Sequence, residues 1–273
     1  MSFWIDVLRV MDTKMEEPVL YGWFHWIFLL LTIGATVYLC LCRKGDSPQM
    51  VRKIVFWMSA VALLLEVYKQ VNYSFGYSDG TITFAYQWYV FPWQFCSTPM
   101  YVGVLAGIIK KGKIHDALCA YLASFSVFAG VCVMLYPEQV FIDVVGVNLQ
   151  TMICHGSMIP IGAYLLATGH VKLEKKTLLK AVIVFVIAVL MATVMNEIAY
   201  VTGLLEEHNF NMFYISPHCD PSLPVYSLVQ QVVPYPWSLI AYVLGFSAAA
   251  ALVLQASAGI RNLYRKKKVK IAA

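Results

Sequence analysis

Seven stretches of roughly twenty apolar residues, each long enough to cross a bilayer as a helix, dominate this chain. They lie at about 20–42, 54–73, 88–109, 116–136, 151–169, 181–203 and 238–258. Alternating ten-residue segments of the spanning-strand kind are not seen, which sets a β-barrel aside. The first stretch is too long for the core of a secretory leader and has no basic lead, so it is read as a retained helix. Composition agrees. Apolar residues make up 60% and charged residues 13% of the chain, against about 45–50% and about 25% in a soluble domain. A soluble globular enzyme, a disordered chain, a collagen and a disulfide-stapled mini-protein are excluded on those figures. The expected class is all-α: a polytopic membrane bundle of seven helices over 20–258, with a short N-terminal segment 1–19 and a basic tail 259–273.

Charge placement sets the expected orientation. Arg43, Lys44, Arg52 and Lys53 join stretches one and two; Lys110, Lys111 and Lys113 join three and four. Lys172, Lys175, Lys176 and Lys180 join five and six, and Arg261, Arg265, Lys266, Lys267, Lys268 and Lys270 follow the seventh. These are 17 of the 20 Lys and Arg residues. The alternate connections 74–87, 137–150 and 204–237 hold none, but carry Asp79, Glu138, Asp143, Glu206, Glu207 and Asp220. By the positive-inside rule the N-terminus is outside and the C-terminus cytoplasmic, in a multi-pass protein of the cell membrane. The basic tail is then a topology anchor against anionic lipid rather than a nucleic-acid contact. The connection 204–237, with five prolines, is expected to fold back over the outer mouth of the bundle. The first residues are expected to form an interfacial helix with Phe3, Trp4, Val7, Val10 and Met11 on one face.

Polar side chains at membrane depth are costly, so each is placed by depth at 1.5 Å per residue. Glu66 falls about 12 Å below the outer edge, with Lys69 one turn above it at pairing distance. Gln94 and Cys96 lie roughly 9–12 Å down, and His155 about 6 Å. Asn196, Glu197 and His25 reach similar depths. A shared level points to one polar cavity open to the outside; the other reading is a set of helix–helix hydrogen bonds that only hold the bundle. His25 reads best as a plain interfacial histidine.

Cysteine and histidine chemistry narrows the choice. His208, His218, Cys219 and Asp220 match no standard zinc spacing, so no metal and no cofactor are expected. Cys40, Cys42, Cys119 and Cys132 read as packing residues. Cys96 differs, because it follows Phe91-Pro92-Trp93-Gln94-Phe95, where Pro92 breaks the top of the third stretch. His155 opens the fifth stretch. A thiol beside an imidazole is an activated nucleophile, although spacing alone does not bring the two together.

At these residues the sequence resembles the YwaF-type family of bacterial integral membrane proteins and their eukaryotic relatives, acyltransferases that make ether-linked phosphatidylethanolamine. The resemblance rests on Glu66-x-x-Lys69, Pro92-x-x-x-Cys96, His155, and a late block in which Asn209-Phe210, Phe213-Tyr214 and Pro217 precede Pro234-Tyr235-Pro236-Trp237. It is also similar to smaller androgen-regulated membrane lipid hydrolases, which use a Thr with a His; Thr98 is the neighbouring Thr here. The resemblance implies Cys96 as the acyl-carrying nucleophile and His155 as its base, acting on membrane phospholipid. Glu66, Lys69, Gln94, Asn196, Glu197, Asn209 and Tyr214 are then the expected substrate-binding set. Lys69 would meet lipid phosphate, and Gln94, Asn196 or Asn209 would supply oxyanion hydrogen bonds. Two other readings stay open: a transporter or ligand-binding receptor using the same cavity, and a scaffold subunit.

Overall fold

The computed structural model describes residues 2–78, 80–204 and 209–272, with side chains up to Asn262. Asp79, Glu206, Glu207, His208 and the tail side chains from Leu263 onward lie outside the described residues. Nearly all the regular structure is helical: α1 (Ser2–Met11), α2 (Trp23–Cys42), α3 (Pro48–Asn72), α4 (Thr98–Ile108), α5 (Lys113–Leu135), α6 (Val145–Ala167), α7 (Lys175–Val201), α8 (Pro224–Val232) and α9 (Trp237–Ala272). The expected all-α class needs one amendment. β1 (Phe75–Ser78) and β2 (Thr81–Phe84) form an antiparallel hairpin in the 74–87 connection, with Tyr77 opposite Ile82. Gly80 turns it at φ +76°, a backbone region that glycine adopts without a Cβ clash.

Among the described residues four helices are long and apolar enough to cross a membrane: α2, α5, α7 and the Trp237–Asn262 part of α9. α3 and α6 are of similar length, but their apolar pattern is interrupted by Glu66, Lys69, Gln150 and His155. The helix in the apolar stretch 88–109 is shorter than the stretch itself. Only Thr98–Ile108 is helical, and residues 88–97 form a short 3-10 turn at Trp88–Val90 followed by tight turns. Pro92 has no amide hydrogen to give and Pro99 suits only the first helical turn, so the α-helix starts there. α3 starts as its sequence dictates: Ser47 caps the Met50 amide and Pro48 takes the first helical position.

α5 is the central helix. Two-thirds of its apolar window is buried (67%), against 22% for α2 and for α9. It holds a π turn across Leu122–Ser126. Around it Tyr121, Phe125, Phe185, Phe213, Tyr242 and Phe246 form a continuous aromatic core, with Phe125 stacked on Phe185 at 4.4 Å. The outward faces of α2, α3 and α7 present Leu30, Leu31, Trp57, Leu64, Ile183 and Ile187, all exposed. An apolar exterior of that extent suits a lipid solvent. On α1, Phe3, Trp4 and Val10 are exposed while Ile5 and Leu8 are buried, so an apolar face is left outward as expected.

The basic connections gather at one end of the bundle. Arg52 donates to the carbonyls of Gly107 and Ile108, the Tyr164 phenol to Asp46, and Lys180 meets Asp116 at 2.8 Å. The opposite end is tied by the N-terminal segment: Lys14 pairs with Asp143, Met15 N–H donates to the Asp143 carbonyl, and Tyr68 and Asn72 donate to the Met11 carbonyl.

Candidate functional site

Near that opposite end, α3, α5, α6 and the turn before α4 enclose a cavity of about 140 Å³. Its wall includes Glu66, Lys69, Cys96 and His155, so four of the expected site residues meet in one place. Each arrives from a different constraint. Glu66 and Lys69 lie one turn apart on α3. Cys96 sits in the turn before α4, where the three residues that precede it are committed elsewhere. Trp93 Nε1–H donates to the Ala188 carbonyl, Gln94 reaches residues 211–213, and Phe95 packs into the aromatic core against Phe185, Phe213 and Phe246. Cys96 and Ser97 remain to face the cavity. His155 stands where α5 and α6 approach closely: a Cβ on Gly130 would come within 2.8 Å of the His155 carbonyl oxygen.

The electrostatics are specific. Glu66, 3% exposed, pairs with Lys69 at 2.7 Å. Its carboxylate also accepts from Gln70 Nε2 at 2.8 Å and Gln150 Nε2 at 2.9 Å. A buried carboxylate with one cation and two amide donors is fully satisfied. Tyr86 extends the chain by donating to Gln70 Oε1 at 2.6 Å. Burial, with the Glu66 charge second, pushes the Tyr86 phenol up to about 12, so it stays a donor. His155 Nδ1 lies 2.7 Å from the Thr151 carbonyl, which can only accept, so Nδ1 carries the proton of the neutral ring. Nε2 is then a lone-pair acceptor, buried and without a protein partner. Among the described residues five buried side-chain atoms lack a hydrogen-bond partner, and three belong to this wall: His155 Nε2, Ser59 Oγ and Ser126 Oγ.

The remaining expected residues go elsewhere, so the single polar level splits into two groups. Asn196 is tied to the Met212 backbone by both ends of its amide, at 3.0 and 2.7 Å. Gln94 is tied likewise to the Asn211 carbonyl (3.0 Å) and the Phe213 amide (2.8 Å). The late block they hold carries Asn209, Phe213 and Tyr214 at φ +48°, +58° and +56°, a region that asparagine tolerates but that disfavours Phe and Tyr. Asn209 and Tyr214 are exposed, and neither lines the cavity. The 204–237 connection therefore inserts Phe213 into the core instead of only capping the bundle. Glu197 meets His218 at 3.2 Å, where the His218 ring stacks on Tyr200. Thr98 bonds the Tyr121 phenol and the Phe95 carbonyl. His25 accepts from the Tyr21 amide and donates to the Met134 carbonyl.

Gln150, Ser59, Ser126 and Cys154 escaped the sequence reading. Gln150 and Cys154 have a signal in hindsight, since they stand four residues apart on one helix face just before His155, and Gln150 also reaches Glu66; a serine in an apolar helix has none. Among the described residues no group of three or more His, Cys, Asp or Glu is placed to hold a metal. No curated relative and no solved structure matches the chain. The model of the TMEM164 family matches residues 20–254, from just before α2 to well inside α9, and the chain belongs to that family of membrane proteins.

Proposed function

We propose that this chain is a seven-helix protein of the cell membrane, N-terminus outside and C-terminus cytoplasmic, that transfers or hydrolyses phospholipid acyl groups through Cys96 and His155. Seven crossings follow if α3 and α6 count with the four apolar helices and α4 is completed by residues 88–97. Eleven helical residues rise only about 16 Å. Irregular backbone can finish a crossing where it is buried in protein or lines a cavity, as Cys96 and Ser97 do. The basic end then faces the cytoplasm.

The observation that carries the enzymatic reading is the wall shared by Cys96 and His155, with Nε2 of a pre-set tautomer left free. In the proposed reaction Nε2 takes the thiol proton as Sγ attacks an ester carbonyl. The protonated ring returns that proton to the departing lyso-lipid oxygen, leaving a thioester. The acceptor hydroxyl, or water, attacks the thioester with His155 again as base. Lys69, 17% exposed and paired with Glu66, is the cation that would meet the lipid phosphate in this reading. A cavity of this size takes the ester end of a lipid, roughly as a 150 Å³ cavity takes benzene, while the chains stay in the membrane. The resemblance to YwaF-type proteins and ether-phospholipid acyltransferases supports the same pair.

The test is covalent capture. Purified protein is mixed with phosphatidylcholine radiolabelled in its acyl chains, and labelled protein is quenched and mapped. Label on Cys96, lost in Cys96→Ala and slowed about 10²–10⁴-fold in His155→Ala, is the expected result. A folded wild type that never acquires label, or a Cys96→Ala protein with full lipid activity, overturns the reading. Substrate flux that survives Cys96→Ala would move the assignment to a transporter.

A further inference from the structure

Helical serines in apolar surroundings ordinarily satisfy their hydroxyl on the carbonyl three or four residues back. This protein follows that rule at Ser124 (to Ala120, 2.7 Å), Ser157 (to Cys154, 2.8 Å), Ser247 (to Val243, 2.6 Å) and Ser257 (to Val253, 2.9 Å). Ser59 and Ser126 break it. They are 1% and 0% exposed, their hydroxyls have no protein partner, and both line the cavity of Cys96 and His155. Each is placed by a local departure from regular packing. Ser126 ends the π turn Leu122–Ser126, which widens the helix and offsets the carbonyl it would otherwise use. Ser59 faces Gly103 on α4, where any Cβ would fall 1.9 Å from its Oγ.

Two buried hydroxyls without partners cost stability, and the close α3–α4 approach at Gly103 asks only for a small side chain at residue 59, not for a hydroxyl. Residues kept at such a cost are expected at functional sites. Gln94 and Asn196, the amides expected to stabilise an oxyanion, have both ends of their side chains committed to backbone. A carbonyl oxygen in this cavity would need other donors.

We infer that Ser59 and Ser126 are the hydrogen-bond donors to the reacting carbonyl oxygen, and therefore that the cavity is built for an ester or thioester group. The inference rests on Cys96 being the nucleophile. When the Sγ–C bond forms, the carbonyl π pair moves onto oxygen, and the two O–H groups donate to it as the thiol proton sits on His155 Nε2. When the oxyanion collapses, the C–O bond to the lyso-lipid breaks and that oxygen takes the proton from Nε2. The second half-reaction runs the same steps with the acceptor oxygen.

The experiment compares two reactions of one thiol. Acylation of Cys96 by acyl-labelled phosphatidylcholine develops an oxyanion; alkylation by iodoacetamide displaces iodide and does not. Ser59→Ala and Ser126→Ala are each expected to slow acylation about 100-fold with KM for the lipid little changed. Alkylation should keep its rate, and Tm should hold or rise, because a buried unpaired hydroxyl is removed. Ser126→Thr, which keeps the donor, is expected to retain acylation. Wild-type acylation rates in both alanine variants overturn the serine role alone. Alkylation that falls in step with acylation also overturns it, since the variants then act on the thiol. A wild type that is alkylated but never acylated overturns the reading of Cys96 and this role with it.

Discussion

Glu66 shows how one residue can be legible in a sequence and still be misjudged in its partners. Its spacing to Lys69 predicts the pair, and the 2.7 Å contact is there. Gln70 and Gln150, which donate to the same carboxylate, decide how the charge is tolerated at 3% exposure. Glu66→Gln leaves Lys69 without its counter-charge and offers one acceptor oxygen where two amides donate. Breaking a buried pair from one side costs about 3–5 kcal/mol. The expected outcome is a large fall in thermal stability in detergent, recovered in part by adding Lys69→Met. Equal stability of the single and double variants would show that the pair is set by function alone. His155 belongs at this scale too. Its free Nε2 depends on a single bond from Nδ1 to the Thr151 carbonyl, one turn back in the same helix.

At the scale of elements, the deciding feature is the broken third stretch. Its apolar count predicts a full crossing, yet Pro92 and Pro99 confine the helix to Thr98–Ile108. The irregular stretch so created has to be held from outside, and the late block does that. Gln94 grips residues 211 and 213 while Asn196 grips residue 212. These four bonds also hold Phe213 and Tyr214 in left-handed backbone, a conformation that persists only where the surroundings over-determine it. Asn196→Ala strands a buried N–H and C=O at Met212, at an expected cost of about 2–4 kcal/mol. The expected outcome is earlier thermal unfolding together with faster proteolysis of the 204–237 connection. Unchanged protease resistance would mean that the block is held by Phe213 packing alone. Asn196 does not line the cavity, so any change in acylation is expected only through loosening of the Gln94–Cys96 stretch that the block holds.

For the whole molecule, the separation of charge is the main design. The Lys and Arg residues of three connections converge on one end, tied together by Arg52, Tyr164 and Lys180. The hairpin, the N-terminal segment and the cavity wall converge on the other. In the proposed orientation a thiol-reactive, membrane-impermeant maleimide added to intact cells labels Thr81→Cys and leaves Gly45→Cys unlabelled, relative to the unmodified chain. The reverse pattern would invert the topology and place the cavity on the cytoplasmic leaflet.

What the sequence by itself determined was everything that follows from solvent. Stretches of apolar length, basic residues on alternate connections, and the cost that Glu66, Lys69, Cys96 and His155 would carry in an apolar solvent are properties of the chain itself, and they need no neighbours. Tertiary structure alone decided who satisfies whom. Gln94, Asn196 and His155 look equivalent along the chain, as polar groups at one level. In space, Gln94 and Asn196 spend their amides on backbone while His155 keeps Nε2 free. Ser59 and Ser126 read as ordinary helical serines, because the default bond to a preceding carbonyl is invisible in sequence and so is its loss. A hydrogen bond is a short-range, directional contact between groups that the chain order does not place together, so only the folded packing shows which donors and acceptors remain for a substrate.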